Sequence, residues 1–185
     1  GPGPLPAPHH GVPDADAAVR YQALFDAASD AIFLMAGERF IDCNPMTLRI
    51  FGCTRDQIVG QSPYRFSPPV QPDGRDSAEA ALERIQAAVT VGPQRFEWLH
   101  SRYDGTPFFA DVSLNRVDLR GQVLVQAIVR DITDRKRSED GIRSSEARYR
   151  DLFEKASDGI VVCSPTLEIL DANPSFAAMT GYALA

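Results

Sequence analysis

Arg20-Tyr21-Gln22-Ala23-Leu24-Phe25-Asp26-Ala27-Ala28-Ser29-Asp30-Ala31-Ile32 returns 128 residues later as Arg148-Tyr149-Arg150-Asp151-Leu152-Phe153-Glu154-Lys155-Ala156-Ser157-Asp158-Gly159-Ile160. A second block follows each copy. Asn44-Pro45 with Gly52 is matched by Asn173-Pro174 with Gly181 at an offset of 129, so one copy carries a single inserted residue. Repetition over so long a period marks a domain-sized unit, not a solenoid turn. The first copy reads as complete and the second as a start only.

The 185 residues suffice for one domain plus a remnant. Hydrophobic content of 44% and charged content of 24% fit a soluble globular protein. A net charge of −6 argues against a nucleic-acid surface and against a basic membrane patch. No apolar run approaches the length of a bilayer span. Cys43, Cys53 and Cys163 show no paired spacing and read as reduced thiols of a cytoplasmic protein. Gly1 in place of Met suggests a processed fragment, which leaves a membrane anchor in the parent open.

Residues 1–16 are rich in Pro and Gly and read as a disordered tail, with His9-His10 exposed inside it. Val19, Tyr21, Leu24, Phe25 and Ala28 then predict a short amphipathic helix. Ala31–Met35 and Arg39–Asp42 read as strands around an Ala36-Gly37 turn. Asn44-Pro45 predicts a helix start. Asn accepts the free N–H groups of the first turn, and Pro has no N–H to leave unpaired there. Gly52 is the expected stop. Pro63, Pro68, Pro69 and Pro72 make residues 60–74 irregular. Asp76-Ser77-Ala78-Glu79 resembles a capping box, followed by Leu82, Ile85 and Val89 on one helical face. Three strands are predicted next, at Gln94–Tyr103, Thr106–Val117 and Gln122–Ile132. Asp104-Gly105 and Asp118–Gly121 are the expected turns. Two strands, short helices, a longer helix and three strands predict an α+β fold, with an antiparallel sheet and helices on one face. Residues 134–147 are charged, free of Pro and read as a solvated linker helix that Gly141 weakens.

These features together resemble a PAS domain of the bacterial sensory-box type. The match covers residues 17–133, with the truncated start of a second copy over residues 148–185. Its carriers are Leu24-Phe25 with Ser29-Asp30, Asn44-Pro45 with Gly52, Gln71-Pro72-Asp73-Gly74-Arg75, Asp104-Gly105 and the closing Asp131-Ile132-Thr133. The resemblance implies a PAS-like five-stranded antiparallel sheet with helices on one face, followed by the linker helix. It also implies an interior able to hold a small ligand, for which Met35, Phe66, Ile85, Trp98, Phe109 and Val125 are the candidate lining residues. Its role would be sensory input or dimerisation in a signalling protein whose output module is a histidine kinase, a cyclic-di-GMP enzyme or a chemoreceptor. The partners it implies are a second copy in a homodimer and the output domain of the same polypeptide. Nucleic acid and membrane are not expected partners of this segment.

Haem-binding members resemble one another in a His on the long helix, and Asp76–Val89 has none. Light-sensing flavin members carry a reactive Cys, which Gly60–Phe66 lacks. Haem and a covalent flavin adduct are therefore not expected, while a non-covalent flavin or a small metabolite stays open. Trp98 shares a strand face with Phe96 and His100. Sheet-face packing is the favoured role for Trp98, and a hydrogen-bonded sheet or surface position for His100. Cys43 reads as a small apolar filler. Either Val112 and Leu114 or Asp111 and Ser113 face the core. No nucleophile elbow, phosphate-binding Gly loop or paired-acid set is visible, so no enzyme activity is expected of this segment.

Asp131, Ile132 and Thr133 form the expected signal junction. Thr133 would cap the linker helix, and Asp131 would pair with Arg135 or Lys136. The alternative role is a ligand-free dimerisation and spacer module using Val19–Ala28. The second copy cannot bury its apolar face alone and is expected to be disordered or to dock as a helix-rich tail on the first domain or on a partner chain.

Overall fold

The computed structural model describes residues 15–181. The tail expected over residues 1–16, with His9-His10, lies outside that range but for its last two positions. The chain divides into two units, one reaching to Thr133 and one starting at Asp134.

The first unit opens with helix α1 (Ala15–Ala27), strands β1 (Ala31–Ala36) and β2 (Arg39–Cys43), and short helices α2 (Pro45–Phe51) and α3 (Arg55–Ile58). A 3-10 turn at Pro63–Phe66 and helix α4 (Ser77–Thr90) follow. Strands β3 (Gln94–Ser101), β4 (Pro107–Leu119) and β5 (Gln122–Asp131) complete it. The five strands lie in the order β2-β1-β5-β4-β3, and every neighbouring pair is antiparallel.

Period-two alternation decides which side chains enter the core. Phe33 and Met35 of β1, Ala127 and Val129 of β5, Val112 and Leu114 of β4, and Trp98 of β3 all point to one buried face. Phe51, Ile58, Ala81, Ile85 and Ala88 close over that face from the helices. Asp111 and Ser113 therefore take the other side of β4, where Asp111 forms an ion pair with Arg95.

The turn between β4 and β5 is tighter than the four residues expected. Leu119 still pairs with Gln122, which leaves only Arg120-Gly121 between the strands. Both residues have positive φ, 51° and 80°. That geometry suits a two-residue hairpin because its twist matches the right-handed twist of the strands.

Asn44 fixes the entry to the sheet. Its side chain is fully buried. Its Oδ1 accepts from the Ile32 N–H at 3.0 Å, the Thr47 N–H at 3.0 Å and the Thr47 hydroxyl at 2.9 Å. Its amide N–H groups donate to the carbonyls of Phe25 at 3.2 Å and Asp30 at 3.0 Å. One side chain thus ties the end of α1, the turn, β1 and the first turn of α2. Pro45 starts α2, and Gly52 ends it at φ 63°, donating back to the Leu48 carbonyl.

The second unit repeats this plan. Helix α5 (Thr133–Lys155) leads to a hairpin of β6 (Val161–Cys163) and β7 (Ile169–Ala172), then to α6 (Pro174–Thr180). Asn173 is again fully buried. It accepts from the N–H groups of Ile160 and Phe176 and donates to the carbonyls of Phe153 and Asp158. The inserted residue falls in the longer hairpin loop, where Leu167 has φ 64°. The expectation of disorder is corrected for residues 148–181, which take regular structure held by these local bonds. Ile169 and Leu170 remain exposed, as a remnant with a bare apolar face requires. The linker expected over residues 134–147 is no separate element either. It runs unbroken into the repeat because one Gly costs a helix only about 1 kcal/mol and no Pro interrupts it.

Candidate functional site

Between the sheet and the helices of the first unit lies an apolar cavity of about 50 Å³. Phe33, Val112, Leu114, Ala127 and Val129 form its sheet wall, and Phe51, Phe66, Ala81 and Ile85 its roof. Phe51 packs edge-on against Phe33, Phe66, His100 and Phe108, with ring centroids 5.2 to 5.6 Å apart. Such edge-to-face contacts hold the rings beyond what burial alone provides.

The irregular segment before α4 is anchored by one buried side chain. The Gln71 amide nitrogen donates to Ser77 Oγ at 2.8 Å and to the Leu99 carbonyl at 3.1 Å, and its oxygen accepts from the Leu99 N–H at 2.9 Å. This amide pairs with the free edge of β3 as a neighbouring strand would. Ser67 and Phe66 are held over the cavity by bonds to β3. Trp98 Nε1 donates to Ser67 Oγ at 2.9 Å, and His100 Nδ1 lies 3.1 Å from the Phe66 carbonyl. A carbonyl only accepts, so Nδ1 carries the proton and Nε2 the lone pair. Burial pushes the His100 ring down to about 4, against the opposing pull of the Phe66 carbonyl and the Asp131 carboxylate, so the imidazole is neutral. Among the described residues, His100 Nε2 is the buried side-chain nitrogen or oxygen without a hydrogen-bond partner.

Of the candidate lining residues, Met35, Phe66, Ile85 and Trp98 border the cavity. Val125 is buried on the same face of the sheet but lies outside the lining. Phe109 does not border the cavity. Phe108 pairs with His100 across the β3–β4 ladder and is buried, so Phe109 turns to the opposite face, half-buried. The cavity also limits the cofactor. Small-molecule pockets usually measure roughly 300–1,000 Å³, so the space at hand does not fit an isoalloxazine ring.

The junction at the end of β5 has a different partner from the one expected. Arg102, just beyond β3, donates to Asp131 Oδ2 at 2.7 Å and to the Ile50 carbonyl of α2. Its guanidinium sits 4.4 Å from the centroid of Phe108. Tyr103 N–H adds a 2.8 Å bond to the Phe51 carbonyl. Asp131 Oδ1 accepts from the Thr133 N–H at 2.9 Å, and Thr133 Oγ1 accepts from the Phe109 N–H at 3.1 Å. Asp131 therefore pairs with Arg102 instead of Arg135 or Lys136. The Thr133 hydroxyl ties α5 back to β4 instead of capping its own helix. Ile132 is buried between them. Burial pushes the Asp131 carboxyl upward, but the Thr133 and Arg102 donors outweigh it and hold it below the usual carboxylate value.

Cys43 is buried, and desolvation raises its thiol above the ordinary value despite the nearby Arg55 guanidinium. A protonated, enclosed thiol is a packing group. Among the described residues, no group of three or more His, Cys, Asp or Glu side chains is placed to hold a metal ion. No helix among them is long and apolar enough to cross a membrane.

Comparison with known proteins matches residues 29–134 and, separately, residues 147–185 to models described as PAS domain. The chain is 27% identical over 156 residues to sporulation kinase E of Bacillus subtilis (strain 168), covering 84% of this chain and 20% of that protein. Against sporulation kinase A of the same strain it is 24% identical over 143 residues, covering 77% of this chain and 23% of that protein. It thus spans about a fifth of the length of these curated relatives. Among solved structures, a PAS domain from Colwellia psychrerythraea superimposes with a TM-score of 0.56 at 23% identity, covering 64% of this chain and 99% of that one. PAS domains of this kind occur in bacterial signalling proteins.

Proposed function

The chain belongs to the PAS-domain family, and on that premise we propose that it is the sensory module of a bacterial signal-transduction protein with a histidine kinase or cyclic-di-GMP output. A small ligand in the cavity of the first unit, or a partner surface, sets the packing of its roof. The change leaves through Asp131-Ile132-Thr133 into α5.

The observation that carries this reading is Arg102. It is bonded at once to the carbonyl of Ile50, next to the cavity residue Phe51, and to Asp131 at the end of β5. A ligand shifts a conformational equilibrium only by binding two states unequally. Two arrangements of Phe51 would present different positions of the α2 carbonyls to Arg102, and so different restraints on Asp131.

The test is Arg102→Ala in the parent protein, with its output and the amide exchange of residues 133–137 followed together. The expected result is exchange at least tenfold faster in the first turn of α5 and an output indifferent to stimulus, in a domain that stays folded. Unchanged exchange and a normal response would refute the relay.

A second reading, a ligand-free dimerisation and spacer module, draws support from α1. Val19, Tyr21 and Leu24 are each more than two-thirds exposed there. Sedimentation of the Leu24→Glu variant separates the two. Loss of dimers together with loss of output favours the spacer, and dimers that persist with stimulus response intact favour the sensor.

A further inference from the structure

We infer that the open edge of β6 binds the same strand of a second copy of this chain, antiparallel, so that two hairpins join into one continuous sheet. The surface is separate from the cavity, from the Arg102 relay and from α1. The internal repeat supplies the starting point. The Ile160 N–H donates to Asn173 Oδ1, its carbonyl accepts from the Asn173 N–H, and the Ser164 N–H donates to the Glu168 carbonyl. Ile160 and Ser164 therefore turn these groups toward the β7 side. Backbone groups alternate in direction along an antiparallel strand, so the N–H and C=O of Val161 and Cys163 point the other way. Among the described residues no strand lies there, because the second sheet consists of β6 and β7. In the first unit the equivalent residues are Phe33 and Met35, and they pair with Ala127 and Val125 of β5. The edge is thus of a kind that takes an antiparallel strand.

The first unit shows what a protected edge looks like. On β2, the Phe40 N–H donates to the Gln61 carbonyl at 3.0 Å and the Phe40 carbonyl accepts from the Gly60 N–H at 2.7 Å. On β3, the Gln71 amide takes the N–H and the carbonyl of Leu99, and Arg95 and Glu97 add charge to the strand. Covering loops and charged side chains keep sheet edges from pairing. β6 has neither. Residues 159–164 read Gly-Ile-Val-Val-Cys-Ser, without charge or Pro, and Ile160, Val161 and Val162 are each more than a third exposed. β7, on the other side of the hairpin, carries Asp171. The occupant follows from the same residues. A charged strand would meet no opposite charge on β6, whereas β6 complements itself. With a two-fold axis through Val162, Val161 faces Cys163 of the second copy and Cys163 faces Val161 of the second copy, and each such pair exchanges both backbone bonds. Val162 then meets its own counterpart at a site without backbone bonds, where side chains stand closest. Such an arrangement is closed, so growth stops at the dimer.

Charge at position 162 tests the axis. The full chain carries Leu24→Glu throughout, to remove association through α1, and is kept reduced so that Cys163 forms no disulfide. Sedimentation equilibrium gives its dimer affinity, and amide exchange is read at Val161 and Cys163. The expected result is a reversible dimer in which both amides exchange more slowly as concentration rises. Val162→Lys and Val162→Glu each set like charges opposite one another and should weaken that dimer, while an equal mixture of the two should associate about tenfold more tightly than either alone. Rescue on mixing cannot come from a variant that has merely lost its fold. A monomer at every concentration, variants that dimerise as the parent does, or a mixture no tighter than its components would each overturn the inference. So would a monomer whose Val161 and Cys163 amides are already protected, because another segment of the same chain would then hold the edge. The Arg102→Ala test reads a different surface, and its outcome leaves this one standing or falling on its own.

Discussion

Replacing Asn44 with Ala should destabilise the first unit by about 3 kcal/mol, from three orphaned groups at about 1 kcal/mol each. Asn44 makes five side-chain hydrogen bonds, but two of the groups it serves keep a second partner. The Thr47 N–H also reaches the Asn44 carbonyl at 3.1 Å, and the Thr47 hydroxyl also reaches the Ile32 carbonyl at 3.2 Å. The Ile32 N–H and the carbonyls of Phe25 and Asp30 lose the partner that Asn44 supplies. The assay is urea unfolding followed by tryptophan fluorescence. Trp98 is the single tryptophan, and it lies buried in the first unit. With a denaturant slope of about 1.5–2 kcal/mol/M, the midpoint should fall by about 1.5–2 M. Asn173→Ala provides the internal control. It breaks the equivalent bonds in the second unit and should leave the tryptophan-detected midpoint in place. A fall of less than about 0.5 M for Asn44→Ala, or an equal fall for Asn173→Ala, would show that the hydrogen-bond reasoning is wrong.

Three further outcomes are expected. His100 has a folded pKa of about 4 against an unfolded value near 6.5. The unfolded chain therefore binds more protons in that interval, and stability drops by up to about 3 kcal/mol as pH falls from 6.5 to 4; urea titrations should show this acid limb flattened in His100→Phe. Gln71→Ala frees both polar groups of Leu99 and should cost about 2 kcal/mol, with faster amide exchange at Leu99; a midpoint within error of the parent refutes the edge-pairing role. Arg120→Asn puts a residue tolerant of positive φ in the tight turn and should raise stability by about 0.5 kcal/mol, read as a rise in Tm; a fall in Tm would mean that Arg120 contributes contacts beyond the turn.

Much of the fold was legible because its signals are local. Asn44-Pro45 with Gly52 states a helix start and stop within nine residues, and the repeat of the pattern from Asn173 removes coincidence. The Asp-Gly turn and the period-two strands place β3, β4 and β5. The site was less legible, for two reasons. Phe108-Phe109 offers two apolar neighbours, and alternation alone cannot say which faces inward; the pairing of Phe108 with His100 decides it. Arg102 gave no signal at all, because its partners lie 52 residues before it and 29 after it. An arginine next to an Asp-Gly turn looks like any solvated charge until the sheet closes. His100 was visible as a member of a strand face, but its orphaned nitrogen follows only from the chain passing over it at Phe66. Gln71 was noticed as part of a motif, without the edge-pairing that gives it a purpose.

The buried asparagine has a consequence in time. All its bonds close loops of 19 residues or fewer, whereas the bridge from Asp30 to Arg130 spans 100. Short loops form first because their ends have less freedom to lose. The helix–hairpin–helix start can thus assemble while the rest of the polypeptide is still unfolded, and residues 148–181 hold the same arrangement with no later strands laid against their hairpin. That early piece presents β1 as the edge against which β5 lies at the centre of the sheet.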